Sequence, residues 1–135
     1  MVFERLTKLV AESKLTFCDG TVAELERTAE GDPAALWVST VKDQRADSIA
    51  SYSTLRWVGV NCKDVVDEDD RYDCAAEVLA HAKSLRDGGA GNLQVVTEDT
   101  ADKPTRIALA TACASLGIAS TPVEGMMAAC GITWP

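Results

Sequence analysis

The chain has 135 residues, 47% of them hydrophobic and 25% charged, with a formal net charge of −8. That length is enough for one domain with a real core, and the balance is that of an ordinary globular protein. The acidity argues against non-specific nucleic-acid binding, and no apolar run approaches the ~20 residues of a membrane span.

The first residues open an amphipathic pattern in place of the basic start and apolar core of a signal peptide, which predicts a cytoplasmic protein with no membrane partner. Phe3, Leu6, Leu9 and Val10 have helical spacing over residues 2–10. Leu15-Thr16-Phe17-Cys18 is expected to be a buried strand ended by Asp19-Gly20. Thr21-Val22-Ala23-Glu24 reads as a capping box opening a helix that Gly31 closes. Asp32-Pro33 is an N-cap followed by proline at the first helical position, and the helix carries Leu36, Trp37, Val41 and Ile49 on one face.

Leu55-Arg56-Trp57-Val58-Gly59-Val60 has strand composition, weakened by Gly59. Asp64, Asp67, Glu68, Asp69, Asp70 and Asp73 then crowd ahead of an apolar-periodic run through Cys74, Val78, Leu79, Ala82 and Leu85. Acids in that place complement a helix dipole. A glycine-rich turn over residues 87–91 precedes the clearest strand, residues 93–97. After Pro104, Ile107, Leu109, Ala110, Cys113 and Leu116 predict a helix ended by Gly117, then a short strand over 118–120. Thr121-Pro122-Val123-Glu124 reads as a second capping box, opening a helix with Met126, Met127 and Cys130 that Gly131 stops. Trp37, Trp57 and the two methionines are expected in the core. The alternation predicts a single α/β domain, a three-layer α/β/α sandwich on a mainly parallel sheet.

Five cysteines are widely spaced without a C-x-x-C, and there is one histidine. Reduced, buried thiols are expected, not a structural zinc site. Carboxylates at element ends are the more pointed signal. Glu24 lies one turn into its helix. Asp70 and Asp73 stand i, i+3 at a helix start, with Glu77 a turn later. Asp99 and Asp102, with Glu98, follow the strand 93–97. Acids from three distant elements could hold Mg²⁺ or Mn²⁺, which takes oxygen ligands and can activate water. Each set also has a plain structural use, as cap, solvated loop or turn former.

The ordered set Thr21-Val22-Ala23-Glu24-Leu25, Asp73 with Val78-Leu79-Ala80-His81-Ala82, and Val95-Val96-Thr97-Glu98-Asp99 resembles the PIN domain. The resemblance implies an Mg²⁺- or Mn²⁺-dependent endoribonuclease of toxin–antitoxin type. Glu24, Asp73 and Asp99 would then be catalytic and metal-binding, with Asp70 and Asp102 supporting, and RNA, an antitoxin-like protein or a second copy as partners. PIN domains open with a strand ending in a metal-binding aspartate, and nothing before Val2 supplies one. A rival alignment makes Asp19 that aspartate, with Asp43 in place of the glutamate. The gap implies either a start upstream of Met1 or a degenerate PIN-like domain, and leaves the activity of the chain open. The alternative expectation is a non-catalytic acidic interaction domain, binding a protein partner or itself. A receiver-like phosphotransfer domain would need a lysine near the last strand and an acid pair after the first, and neither stands out.

Overall fold

The computed structural model describes residues 2–28, 31–45, 51–65 and 74–133. Their order is α1 (Val2–Ala11), α2 (Asp19–Thr28), α3 (Pro33–Val41), α4 (Tyr52–Asn61), α5 (Ala75–Asp87), β1 (Gln94–Val96), α6 (Leu109–Ser115), β2 (Ala119–Thr121) and α7 (Val123–Ala129). Short 3₁₀ turns follow α3 and α4, at Lys42–Gln44 and Lys63–Val65.

Among the described residues the sheet has two strands. β1 and β2 run parallel, with Gln94, Val95 and Val96 opposite Ala119, Ser120 and Thr121. Parallel strands need a crossover, and α6 provides it. The expected alternation is therefore present in its C-terminal half, as strand, helix, strand, helix.

Two expected strands are not strands. Residues 15–18 are irregular chain leading into α2, which begins at Asp19, so Thr21 lies inside the first turn and not at its cap. Residues 55–60 belong to α4. Ser51 caps that helix, its Oγ accepting the Thr54 N–H at 3.2 Å. Val58, Cys62 and Val65 are buried at i, i+4 and i+7, so one apolar edge reaches the core. Burial at that spacing outweighs the strand propensity of tryptophan and valine.

The main core joins α4, α5, β1, α6 and β2. Leu79, Ala80, Ala112 and Cys113 are fully enclosed there, with Val58, Val65, Val95, Leu109 and Ile118 around them. A second cluster ties the chain ends, with Leu6 of α1 against Met127 and Ile132. Trp37 extends that cluster. Its ring centroid lies 5.8 Å from that of Phe3, and its Nε1–H donates to Thr7 Oγ1 at 2.8 Å. Trp37 and Met127 thus fill the core role expected of them. Trp57 does not, at 38% exposed, and Leu36, expected on the same helix face as Trp37 and Val41, is 63% exposed. Ile49 lies outside the described residues. All five cysteines are free thiols, as expected, but only Cys18, Cys62 and Cys113 are also buried.

Candidate functional site

The carboxyl end of β1 gathers three acids, and each serves a helix start. The Asp99 N–H donates to Thr97 Oγ1 at 3.0 Å, turning the chain away from the strand. The Asp99 carboxylate then accepts the Leu109 N–H at 3.0 Å, and the Asp99 carbonyl accepts the Ala110 N–H at 3.1 Å. Arg106 grips both Asp99 oxygens, at 2.8 Å to Oδ2 and 3.3 Å to Oδ1. The Arg106 and Asp99 side chains are 11% and 30% exposed, so the fork is partly sheltered from water. Asp102 Oδ1 accepts the Ala108 N–H and the Thr111 hydroxyl, both at 2.8 Å. These two donors hold the Asp102 carboxyl below its ordinary pKa.

The reason lies in the residues at the helix entrances. The N-cap of α6 is Ala108 and that of α7 is Pro122, neither of which has a side-chain acceptor. First-turn amides need partners from elsewhere. Asp99 and Asp102 supply them for α6. Glu98 reaches across to α7, its Oε1 accepting the Val123 N–H at 2.8 Å. The expected Thr121 capping box is therefore replaced by a carboxylate from the bend that follows β1, while Thr121 itself ends β2.

Glu24 works in a different contact, between α2 and α5. The Cys74 thiol donates to Glu24 Oε2 at 2.7 Å. Thr21 Oγ1 lies 3.2 Å from Cys18 Sγ and 3.8 Å from Cys74 Sγ, so it links the thiols and caps nothing. Glu77 Oε1 accepts the Gly20 N–H at 3.3 Å. A Cβ on Gly20 would sit 3.0 Å from that of Cys74 and run into the Glu77 carboxylate, so the two helices meet this closely because residue 20 is glycine.

Burial pushes the Cys74 thiol pKa up strongly, helped by the hydrogen bond and charge of Glu24. Burial also raises Cys18, and takes Cys113 from 9.0 to about 11. These thiols are protonated packing groups, not nucleophiles. Since the folded chain holds these protons to higher pH than the unfolded chain, their contribution to stability is complete below the unfolded value of 9.0 and is lost as pH rises above it. The urea midpoint should accordingly fall between pH 9 and about 11, and Cys113→Val should remove part of that fall. A midpoint indifferent to the substitution across that range would contradict this.

The expected metal ligands are thus divided. Asp99 and Asp102 share one corner, Glu24 belongs to the α2–α5 contact, and Asp70 and Asp73 lie outside the described residues. Asp19, the rival first acid, is ion-paired with Arg45, and Asp43 is exposed in a 3₁₀ turn. Mg²⁺ or Mn²⁺ takes carboxylate oxygens directly. Both oxygens of Asp99 already meet Arg106, and Asp102 Oδ1 already meets two donors. These residues do not fit a cation as they stand. Among the described residues no group of three or more histidines, cysteines, aspartates or glutamates is arranged to hold one. No protein-family model, curated protein or solved structure matches the chain.

A second feature, absent from the sequence-based expectations, is the outer side of α4. Tyr52, Leu55, Trp57 and Val60 are 79%, 38%, 38% and 67% exposed on one ten-residue helix. Val58 is its only buried residue. The Lys83 ammonium lies 4.8 Å from the centroid of the Trp57 ring, a cation–π contact that ties the tryptophan to α5. Gly59 sits inside the same helix, where glycine costs about 1 kcal/mol relative to alanine. A Cβ added there would meet nothing within 4 Å. Local sequence did not mark this side, because the burial of Val58, Cys62 and Val65 that turns Tyr52, Arg56 and Val60 outward is tertiary.

Proposed function

We propose that this chain is a PIN-like domain of nuclease descent that serves as a non-catalytic, acidic protein-interaction domain. The observation that carries the reading is the outer side of α4, where Tyr52 and Val60 stand 79% and 67% exposed with Leu55 and Trp57 half-exposed on its two flanks. Large contiguous apolar patches on a globular protein mark contact sites, whereas single exposed apolar side chains are ordinary. The use of Asp99 and Asp102 as helix caps supports it, because two of the acids that the resemblance assigns to metal are committed to the fold. The parallel β1–β2 pair crossed by α6 suits the PIN-like part of the reading, and a three-layer completion of the sheet belongs to the same proposal. No helix among the described residues is long and apolar enough to cross a membrane.

The test is metal and RNA. A cation bound to the folded chain at a hundredfold excess over its Kd raises stability by about 2.7 kcal/mol, visible as a shifted melting transition. We expect Mn²⁺ to leave the transition unmoved and single-stranded RNA to stay intact. Mn²⁺-dependent cleavage that Glu24→Gln or Asp99→Asn abolishes, in variants that still melt cooperatively, would sink the non-catalytic reading.

A further inference from the structure

We propose that Cys18 and Cys74 form a redox-sensitive clamp, closing under hydrogen peroxide to an intramolecular disulfide that pins the start of α2 to the start of α5. The two thiols come from distant parts of the chain and converge on one hydroxyl. Thr21 Oγ1 is 3.2 Å from Cys18 Sγ and 3.8 Å from Cys74 Sγ, so the sulfurs are at most about 7 Å apart, the sum of those two legs. The backbone beside Cys18 is closer still. A Cβ on Gly20 would lie 3.0 Å from that of Cys74, nearer than the roughly 3.5–4.5 Å usual between bridged Cβ atoms.

Both cysteines stand at helix entrances. Cys18 precedes α2, and its carbonyl accepts the Thr21 and Val22 amides at 3.1 and 3.3 Å. Cys74 is the N-cap residue of α5, with φ −102° and ψ 6°. Neither lies in a helix interior, so joining the sulfurs takes side-chain rotation, with the Thr21 hydroxyl swinging out from between them.

One peroxide balances the chemistry. Cys74 is half-buried and Cys18 is 1% exposed, so the oxidant meets Cys74 first. The Cys74 proton passes to Glu24 Oε2, which already accepts it at 2.7 Å. The sulfur attacks one peroxide oxygen, the O–O bond breaks, and the departing hydroxide leaves as water with the proton from Glu24. Cys74 is then a sulfenic acid. The Cys18 sulfur attacks the Cys74 sulfur, the S–O bond breaks, and hydroxide leaves as water with the Cys18 proton. Two thiols lose two electrons and the peroxide gains them. Burial keeps both thiols protonated and the thiolate is the attacking form, so closure is slow. The pair is inert packing in the reduced chain and a clamp under sustained oxidant.

The bridge closes a long loop, since Thr21 and Cys74 are 53 residues apart, and long loops gain most from a cross-link. The test holds the full reduced chain in excess hydrogen peroxide for hours, until methionine sulfoxide shows that the oxidant has acted. Peptide mapping without reductant should recover a Cys18–Cys74 pair from a chain that still runs as a monomer. The melting temperature should stand roughly 10 °C above that of the same sample reopened with dithiothreitol. Cys18→Ser and Cys74→Ser should each lose that difference, and Cys113→Ser should keep it. The mapping is made on the unaltered chain, so it decides the matter even where a serine variant fails to fold. Absence of the pair once methionine is oxidised overturns the clamp. So does bridging through other cysteines or between chains, or a Cys18–Cys74 bond that lowers the melting temperature. Neither metal nor RNA enters the measurement, which keeps the result separate from the non-catalytic reading.

Discussion

Asp99→Ala is expected to destabilise the chain by about 3 kcal/mol and to lower its melting temperature by roughly 10 °C. Two losses add. The first is the cap: the Leu109 N–H at the start of α6 loses its acceptor, and Ala108 cannot replace it. Removing such a cap costs about 1 kcal/mol. The second is the ion pair. Arg106 is 11% exposed and would keep its charge with the carboxylate gone. Removing one partner of a sheltered pair costs more than the pair contributed, because the remaining charge stays poorly hydrated. Asp99→Asn should fall between, since an amide oxygen can still accept the Leu109 N–H while the attraction to Arg106 is weakened. Thermal unfolding followed by circular dichroism would rank the three proteins. If Asp99→Ala melts within about 2 °C of the parent, less than 1 kcal/mol has been lost and the Arg106 fork is effectively solvated.

Leu79→Ala should cost as much or more, about 3 kcal/mol within the usual 2–5 kcal/mol for emptying a buried leucine site. Leu79 is wholly enclosed at the centre of the main core, among residues contributed by α4, β1 and α6. Truncation leaves a cavity that several elements would have to close together, and closely packed interiors relax only partly. Urea unfolding should show a lower midpoint with an unchanged slope, because the unfolded chain exposes much the same surface. Leu36→Ala is the matched control. That side chain is 63% exposed on α3, and its loss should move stability by no more than about 0.5 kcal/mol. Equal effects at the two leucines would mean that the core is not where these burials place it.

The C-terminal half was legible because its signals agree with one another. The valines at 95 and 96 and the positive φ of Gly117 and Gly131 (72° and 67°) mark elements and boundaries that the structure keeps, whereas Lys103-Pro104 falls in the irregular chain between β1 and α6. The N-terminal half was less so. Residues 15–18 and 55–60 each hold the apolar and aromatic residues of a strand. Local composition cannot tell a strand from a helix that buries only one edge. For α4 the deciding fact was tertiary, the burial of Val58, Cys62 and Val65 together. The acids at the end of β1 were legible as a group, and the structure shows them capping two helices. Their spacing said that carboxylates collect at the end of β1. It did not say that Ala108 and Pro122 would leave two helices uncapped, nor that Arg106 would fold back onto Asp99. Glu24 likewise was legible as a helix residue, but its partner, Cys74, lies fifty residues away.

The end of β1 also has a kinetic consequence. Glu98 holds the first amide of α7, while Asp99 and Asp102 hold those at the start of α6, all within five residues of chain. Neither helix can fray from its N-terminus without breaking a bond to the same short segment. In native-state hydrogen exchange, the amides of Ala108, Leu109, Ala110 and Val123 should therefore become exchangeable in one shared opening event. Proton by proton, the last third of the chain would behave as a single cooperative unit.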